Sequence, residues 1–340
     1  MTGTMKAIRQ HAFGGPDVLR WEDAPKPAPG PDELGIRVVA AGLNPPDWYL
    51  RDGYRSLPPD WRPEGRFPLI LGTDVSGVVE TVGPKVAGFA PGDEVYAMVR
   101  FPEGMMGQAM AHAQFVAVPA AQVGRKPAGL GHVEAAGAPM SLLTAWQFLV
   151  DLGHDAANPF QPHPHAPVPL QGRRVLVNGA AGGVGHLALQ VAKAQGARVI
   201  AVASGRHGPL LRDLGADEVV DYSRARAEDL HRDLDLVMDC VGGAGAARFL
   251  PALRPGGALF IVNPLGFEAH DAAARRGVTV SSTQVRSNGA QLDAAAGLLS
   301  DGRVRIVIDS VFPAAEAARA HRRAAEGHIG GKIVLTMPEA

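Results

Sequence analysis

The chain has 340 residues but a single cysteine, Cys240, and it contains no long apolar run. A disulfide needs two thiols and a thiolate zinc site usually needs two to four, so neither can form within this chain. No stretch approaches the roughly 18 apolar residues that a membrane-spanning helix requires, and residues 1–16 lack the apolar block of a secretion signal. The 33 basic and 34 acidic residues give a net charge of −1, so no overall field attracts nucleic acid or an anionic membrane. These absences predict a cytoplasmic protein that binds neither nucleic acids nor membranes.

The remaining composition is that of a folded protein with many turns. Hydrophobic residues make up 46% and charged residues 20% of the chain, and the 42 glycines and 28 prolines stay below the low-complexity range. At roughly 100–200 residues a domain, this length predicts two domains.

The two parts of the chain differ in texture. Up to about residue 125, short alternating runs separated by Gly and Pro clusters predict a β-rich domain, with strands at 36–39, 75–82, 94–99 and 114–118. Beyond residue 171, short apolar strands alternate with helical segments, which predicts a parallel sheet with crossover helices. Between these two parts we predict a helix over 134–150. In the last forty residues we predict a β segment over 304–311, a helix over 314–326 and a strand over 332–336.

Residues 151–170 contain five prolines and three histidines without periodicity, and we expect a surface loop. His163 and His165 are expected to be solvated rather than to bind a metal, because two imidazoles without a third partner make a poor site.

The strongest local motif is a strand, 174–178, that runs through a glycine-rich turn into a helix and then, after Gly196, into a second strand. Ala180, Gly182 and Gly185 match the small-residue spacing of the dinucleotide fingerprint, in which a glycine lets the pyrophosphate approach the backbone. The free N–H groups at the start of the helix favour an anion. We therefore predict a dinucleotide bound by Ala180, Ala181, Gly182, Gly183, Val184 and Gly185.

The end of the second strand predicts which dinucleotide binds. NAD sites usually place an Asp or Glu there, but residues 203–207 contain no carboxylate. Ser204 offers a hydroxyl and Arg206 a guanidinium that can bind a 2′-phosphate, which favours NADP(H).

Four separated segments, 41–53, 71–77, 143–146 and 331–335, resemble the medium-chain dehydrogenase/reductase superfamily, and more narrowly its zinc-free quinone oxidoreductase (zeta-crystallin-like) branch. The resemblance implies an α/β protein with two domains and the active site in the cleft between them. A GroES-like β-barrel catalytic domain would be built from 1–138 and 284–340. A Rossmann NADP(H)-binding domain, with a parallel sheet of order 3-2-1-4-5-6, would span 139–283 and carry the 151–170 loop.

The resemblance also implies that zinc is absent. Where zinc-dependent relatives carry ligands, this chain has Asn44, Thr73, Asp74 and Ala138, and the structural zinc region 100–112 offers only Glu103 and His112. Without a Lewis acid, the acceptors expected are those already activated, namely quinones and α,β-unsaturated carbonyls.

Individual roles follow from the resemblance. Asn44 would lie beside the nicotinamide ribose and the substrate, and Tyr49 would face the substrate and donate a hydrogen bond or proton, with bulk water as the other proton source. Further cofactor contacts would come from Thr144, Tyr222, Cys240, Val241, Asn263, Leu265 and Lys332. Lys332 lacks the basic neighbour that relatives often have, and Cys240 is expected to pack near the cofactor rather than to act as a nucleophile.

The function expected is a zinc-independent, NADPH-dependent oxidoreductase that transfers hydride to a quinone or another α,β-unsaturated carbonyl acceptor. One alternative is an enoyl thioester reductase of the same superfamily. Another is a non-catalytic NADPH-binding sensor or structural protein. A homodimer is expected through the β-branched edge strand at 278–282, because pairing with a second copy satisfies its backbone groups.

Overall fold

A computed structural model of the chain describes residues 3–62, 64–102, 110–158, 161 and 163–338. The chain divides into two compact units. The first comprises Met1–Met140, Ser287–Ser300 and Ile306–Ala340, and the second comprises Ser141–Arg286 and Asp301–Arg305. Within the described residues, no helix is both long and apolar enough to cross a bilayer.

The strands are, in chain order, β1 Thr4–Gln10, β2 Leu19–Pro25, β3 Glu33–Leu43, β4 Leu69–Ile70, β5 Asp74–Val82, β6 Glu94–Met98, β7 Phe115–Pro119, β8 Val123–Arg125, β9 Arg174–Asn178, β10 Arg198–Ala203, β11 Glu218–Asp221, β12 Leu234–Asp239, β13 Leu253–Ile261, β14 Thr279–Ser281, β15 Ile308–Pro313 and β16 Lys332–Thr336. The α-helices are α1 Pro45–Arg51, α2 His132–Gly137, α3 Pro139–Leu149, α4 Gly185–Ala194, α5 Gly208–Asp213, α6 Ala227–Leu230, α7 His270–Arg275, α8 Gly289–Ser300 and α9 Ala317–Ala325.

The first unit is built on two sheets. Strands β2, β1 and β4 form one, and the other follows the order β15-β16-β3-β5-β6-β8, with β7 also paired to β3. Side chains of β3 alternate between core and surface, and Leu34, Ile36 and Val38 are buried in the main core of this unit. The C-terminal strand β16 pairs antiparallel with β3 and belongs to the first unit.

The second unit contains a parallel sheet of order β11-β10-β9-β12-β13-β14. This is the expected 3-2-1-4-5-6 order, and the prediction is confirmed. Strand β9 lies at its centre, with Val175, Leu176 and Val177 fully buried, because a parallel sheet is covered on both faces. The order reverses between β9 and β12, which makes the crevice at their carboxyl ends the topological switch point where this fold binds ligands.

Two predicted elements differ from the structure. The helix expected over 134–150 is two helices, α2 and α3, because Pro139 has no N–H with which to continue α2. The β segment expected over 304–311 begins only at Ile308. The backbone of Arg305 is held by the Gln190 side chain of α4, which accepts from its N–H at 2.8 Å and donates to its carbonyl at 2.9 Å.

The loop over 151–170 contains no helix or multi-residue strand within its described residues, 151–158, 161 and 163–170. The expectation that His163 and His165 are both solvated was wrong for His165. His163 is exposed, but His165 is buried, with Nε2 donating to the Phe148 carbonyl at 3.1 Å and Nδ1 accepting from the Ser281 hydroxyl at 2.9 Å. Burial lowers its pKa, so the neutral ring acts as an anchor for the loop.

Candidate cofactor and active sites

The glycine-rich turn has the shape that a dinucleotide requires. Gly179 leaves β9 with a φ of +72°, and α4 begins at Gly185. A side chain at Gly185 would overlap the Gly179 carbonyl oxygen and would lie 2.8 Å from Ala180 Cα, so only glycine allows strand and helix to pack this closely. At Gly182, by contrast, an added Cβ would approach no atom nearer than the Gly179 oxygen, at 3.4 Å. The small residue at 182 is therefore not required by the protein's own packing, and the open space suits a ligand phosphate.

The six residues predicted to bind the dinucleotide, Ala180 to Gly185, form this turn and the start of α4. Ala180 and Ala181 are buried beneath it, whereas Gly182, Gly183 and Val184 are partly exposed at the start of α4. The Ala180 N–H donates to the Val202 carbonyl at 3.0 Å, and this hydrogen bond holds the turn against β10. The helix start with its N–H groups and dipole remains the anion-binding part.

The end of β10 leads into a turn that carries both predicted specificity residues. Ser204 precedes a 3-10 turn over Gly205–His207, and Arg206 Nε contacts the His207 ring at 3.0 Å. Tyr222 directly follows the neighbouring strand β11 and is 51% exposed. Its N–H donates to the Ala203 carbonyl. The structure thus brings Tyr222, a predicted cofactor contact, to the same edge of the sheet as Ser204 and Arg206.

Sequence reasoning missed one carboxylate at this edge. Asp221 ends β11, and its pairing opposite Ala203 places it against Gly205, where an added Cβ would overlap its carboxylate. Its Oδ1 accepts from the Ser223 N–H at 3.0 Å and hydroxyl at 2.7 Å, and these bonds lower its pKa. The Asp221 carboxylate thus stabilises the turn that follows β11. Only the register of β10 on β11 reveals it, since Asp221 is 17 positions beyond Ser204 in the chain.

At the switch point, side-chain hydrogen bonds join the carboxyl ends of β9 and β12. Asn178 Nδ2 donates to Asp239 Oδ1 at 2.7 Å, and the same oxygen accepts from the N–H groups of Val241 and Gly242. Cys240 donates its N–H to the Asn178 carbonyl, and burial together with Asp239 raises the pKa of its thiol. A thiol with a raised pKa is a poor nucleophile.

Four further predicted contacts, Val241, Asn263, Leu265 and Thr144, lie in the second unit. Val241 is 61% exposed at the carboxyl edge of the sheet. Asn263 follows β13 and accepts the Leu265 N–H through Oδ1 at 3.4 Å. Thr144 is buried within α3.

In the first unit, Asn44 lies at the centre of a buried polar cluster. It is the N-cap of α1, where Asp47 Oδ2 accepts the Asn44 N–H at 2.7 Å and Pro45 and Pro46 supply helical φ angles to the first turn. The Asn44 amide donates through Nδ2 to Asp74 Oδ2 at 2.9 Å and accepts through Oδ1 from Lys332 Nζ.

Two carboxylates and one ammonium are thus shut away from water. Desolvation raises the pKa of Asp47 and of Asp74 to about 7 each, and the ammonium of Lys332 acts in the opposite direction on both. Desolvation likewise lowers the pKa of Lys332. Asp74 also accepts the Met140 N–H at 3.1 Å. Lys332, expected to contact the cofactor, is a buried partner of Asn44.

The residues at the zinc positions of relatives do not fit a zinc ion. Asn44 Oδ1 is bound by an ammonium, and a second cation against the same oxygen would be repelled. Thr73 and Ala138 supply no strong ligand, and the carboxylate of Asp74 is already hydrogen-bonded to Asn44 Nδ2 and to the Met140 N–H. Within the described residues, which leave out Glu103, no three His, Cys, Asp or Glu side chains are grouped to hold a metal. His112 is buried and donates through Nε2 to the Gly42 carbonyl at 3.3 Å.

Tyr49 lies on α1, because the Asn44 cap and the two prolines start a helix there. Its ring packs against Trp48 and Tyr54, each with centroids 6.1 Å away, and the residue is 38% exposed. Burial and the nearby Asp52 raise its pKa. The phenol therefore stays protonated near neutrality and can donate a hydrogen bond.

Comparison with known proteins covers both units. The alcohol dehydrogenase GroES-like domain model matches residues 30–128, and the zinc-binding dehydrogenase model matches residues 214–335. The chain is 34% identical to the mitochondrial NAD(P)H oxidoreductase RTN4IP1 of Danio rerio, over 96% of this chain and 90% of that protein.

Two other similar proteins also match nearly the whole of this chain. A 2-methylene-furan-3-one reductase of Solanum lycopersicum is 32% identical over 97% of this chain and 79% of that protein. The solved structure of a quinone oxidoreductase from Coxiella burnetii superposes with a TM-score of 0.84 and 30% identity over 99% of this chain and 100% of that one. The chain is therefore an oxidoreductase that belongs to the medium-chain dehydrogenase/reductase superfamily, among its quinone oxidoreductases.

Proposed function

We propose that this protein is a zinc-independent, NADPH-dependent reductase of quinones and related α,β-unsaturated carbonyl compounds. The zinc-independent part is supported by the hydrogen bond from Lys332 to Asn44, because Asn44 stands where zinc-dependent relatives have a metal ligand and its oxygen is already bound by an ammonium. NADPH, when bound, supplies the hydride.

The acceptor class follows from the polar groups available. A plain ketone needs strong polarisation of its carbonyl, for which a metal is the usual source. Quinones and enones are already activated, and they need only orientation and a donor for the developing oxyanion. Tyr49 is the candidate donor, with bulk water as the other proton source. The names of the relatives from Coxiella burnetii and Solanum lycopersicum support the two acceptor types in turn.

The preference for NADPH is supported by the edge formed by β10 and β11. Arg206 supplies positive charge and Ser204 a hydroxyl. The carboxylate present, Asp221, already accepts two hydrogen bonds from Ser223. An NAD site would instead offer its acid to the ribose hydroxyls.

A panel of acceptors tests the proposal. Purified protein is mixed with NADPH, and loss of absorbance is followed with benzoquinones, naphthoquinones, simple enones, enoyl thioesters and plain ketones. Turnover with quinones or enones, and none with plain ketones, is expected. A clear preference for enoyl thioesters would establish the alternative reductase, and tight NADPH binding without any turnover would establish a sensor or structural protein.

Assembly and location are further parts of the proposal. Strand β14 is an edge of the parallel sheet with Thr279 exposed, and pairing with a second copy would satisfy its free backbone groups. A homodimer in sedimentation equilibrium is expected, and a monomer at micromolar concentration would contradict it. The cytoplasmic location stays a prediction, to be tested by fractionation, and the Danio rerio relative is mitochondrial by name.

A further inference from the structure

An arginine side chain reaches the crevice between β9 and β12. Arg248 lies in the 3-10 helix Ala244–Ala252, which follows β12. Its guanidinium reaches Asn178, the residue that ends β9 and directly precedes the glycine-rich turn, with 3.4 Å between Nη2 and Oδ1. The side chain thus crosses the switch point and stands beside the start of the anion-binding turn.

We propose that Arg248 is a phosphate-binding residue of the dinucleotide site, whose guanidinium binds a phosphate group of NADP(H). This inference rests on the proposed function, because it assumes that the cofactor binds at this edge of the sheet.

The positive charge of Arg248 is weakly engaged within the protein. Its bond to Asn178, at 3.4 Å, is at the long limit for a hydrogen bond. Its nearest carboxylate oxygen, on Glu228, is 3.9 Å from Nε and is held more closely by Arg226, at 2.9 Å. The guanidinium also packs on the Phe249 ring, with its central carbon 4.6 Å from the ring centroid, which limits its orientations. A group held in place but poorly paired can take a further anionic partner.

Other arginines of the same unit are used differently. Arg254, at the amino end of β13, bonds Asp235 through Nε and Nη2, both at 2.9 Å, and Arg173 reaches the same carboxylate at 2.9 Å. Each of those guanidinium groups is hydrogen-bonded to a carboxylate within the protein. Arg248 is comparable in exposure to Arg254, 42% against 36% of the side chain, but lies at the ligand-binding edge.

The turn itself needs such a charge. Residues 179–185 read Gly-Ala-Ala-Gly-Gly-Val-Gly and contain no cationic side chain. Backbone N–H groups and the dipole of α4 favour an anion, but a dinucleotide carries two pyrophosphate charges, and NADP(H) has a 2′-phosphate as well. Arginine is the side chain best suited to such phosphates, because its planar donors bind two oxygens at once.

Binding measurements on the whole protein test the proposal without relying on turnover. Dissociation constants for NADPH and NADH are measured by calorimetry for wild type, Arg248→Gln, Arg248→Lys and the control Arg254→Gln, with thermal unfolding to confirm that each folds. Arg248→Gln is expected to weaken NADPH about 10-fold or more, as loss of a charge-assisted hydrogen bond requires. Arg248→Lys should weaken it less, and Arg254→Gln should leave both constants within about twofold.

The two cofactors distinguish the phosphate involved. Equal weakening of NADPH and NADH by Arg248→Gln supports contact with the pyrophosphate, and weakening of NADPH alone supports contact with the 2′-phosphate. Folded Arg248→Gln and Arg248→Lys proteins that both bind like wild type would overturn the proposal while leaving the proposed function intact. Wild type that binds neither dinucleotide would overturn both.

Discussion

Lys332 donates a hydrogen bond to the side chain of Asn44 across a sequence separation of 288 residues. The bond joins the first residue of β16 to the cap of α1, next to the register that pairs Ile333 with Leu43. The end of the chain is therefore needed to complete the polar cluster that its beginning creates. The amide of Asn44 is fixed in one orientation, with oxygen toward the ammonium and nitrogen toward Asp74.

Replacing Lys332 with Met should destabilise the protein strongly. The substitution leaves Asp47 and Asp74 buried without their cation, which typically costs about 3–5 kcal/mol. The free energy of unfolding in urea measures the loss. The control is Lys6→Met, because the Lys6 pair with Asp23 is exposed and should contribute less than about 1 kcal/mol. Equal losses in the two variants would show that the buried ammonium is not required.

His112 should give the protein a measurable sensitivity to acid. Burial lowers its pKa from 6.5 to about 4, so the unfolded chain takes up this proton first as the pH falls. The stability that its neutral ring contributes is complete above pH 6.5 and is lost between 6.5 and 4. The facing groups, Asp47 at 4.0 Å and the nearby His321, titrate as well. The comparison is therefore with His112→Asn, which keeps a donor for Gly42.

Between pH 7 and 4.5, wild type should lose about 2 kcal/mol more than His112→Asn in urea unfolding, if the imidazole is the group responsible. Parallel stability profiles for the two proteins would contradict the assignment.

Two glycines of the cofactor turn should respond differently to alanine. Gly185→Ala forces backbone atoms apart, so both the melting temperature and NADPH affinity should fall. Gly182→Ala has space for its methyl group, so the melting temperature should change little while NADPH binding weakens by about 10-fold or more. Thermal unfolding and NADPH titration provide the two readouts. Unchanged NADPH binding in a folded Gly182→Ala protein would mean that the pyrophosphate does not approach there.

Tyr49→Phe should lower kcat by about 10²-fold or more if the phenol is the proton donor. Tyr54→Phe is the matched control, since the neighbouring Tyr54 hydroxyl is buried and has no hydrogen-bond partner among the described residues. It should retain kcat within about twofold. If Tyr49→Phe also keeps its kcat, with an unchanged pH profile, water is the proton source.

Arg206→Ala should raise the KM for NADPH by about 10-fold or more and leave the KM for NADH nearly unchanged, because only NADPH carries the 2′-phosphate. Steady-state kinetics with one quinone and both cofactors provide the comparison. An equal effect on the two cofactors would remove Arg206 from the 2′-phosphate site.

The parts of the structure that local pattern determines could be predicted from the sequence. Alternating strands and helices predict a parallel sheet. The spacing of the glycines predicts the close approach of strand and helix at Gly185. The burial of His165 and Lys332 could not be predicted in this way. Each depends on partners far along the chain, Ser281 for one and Asn44 for the other, which only the folded structure brings near. Asp221 was missed for the same reason, since strand register places it beside Gly205.

Hydride transfer from NADPH to a quinone is proposed to proceed in this protein without a metal. The most direct measurement is kcat/KM for NADPH and for NADH with one quinone, on protein exhaustively treated with a chelator and assayed for zinc by mass spectrometry. Full activity at far less than one zinc per chain is expected, with NADPH preferred over NADH. Activity that disappears with the chelator and returns with added zinc would contradict it.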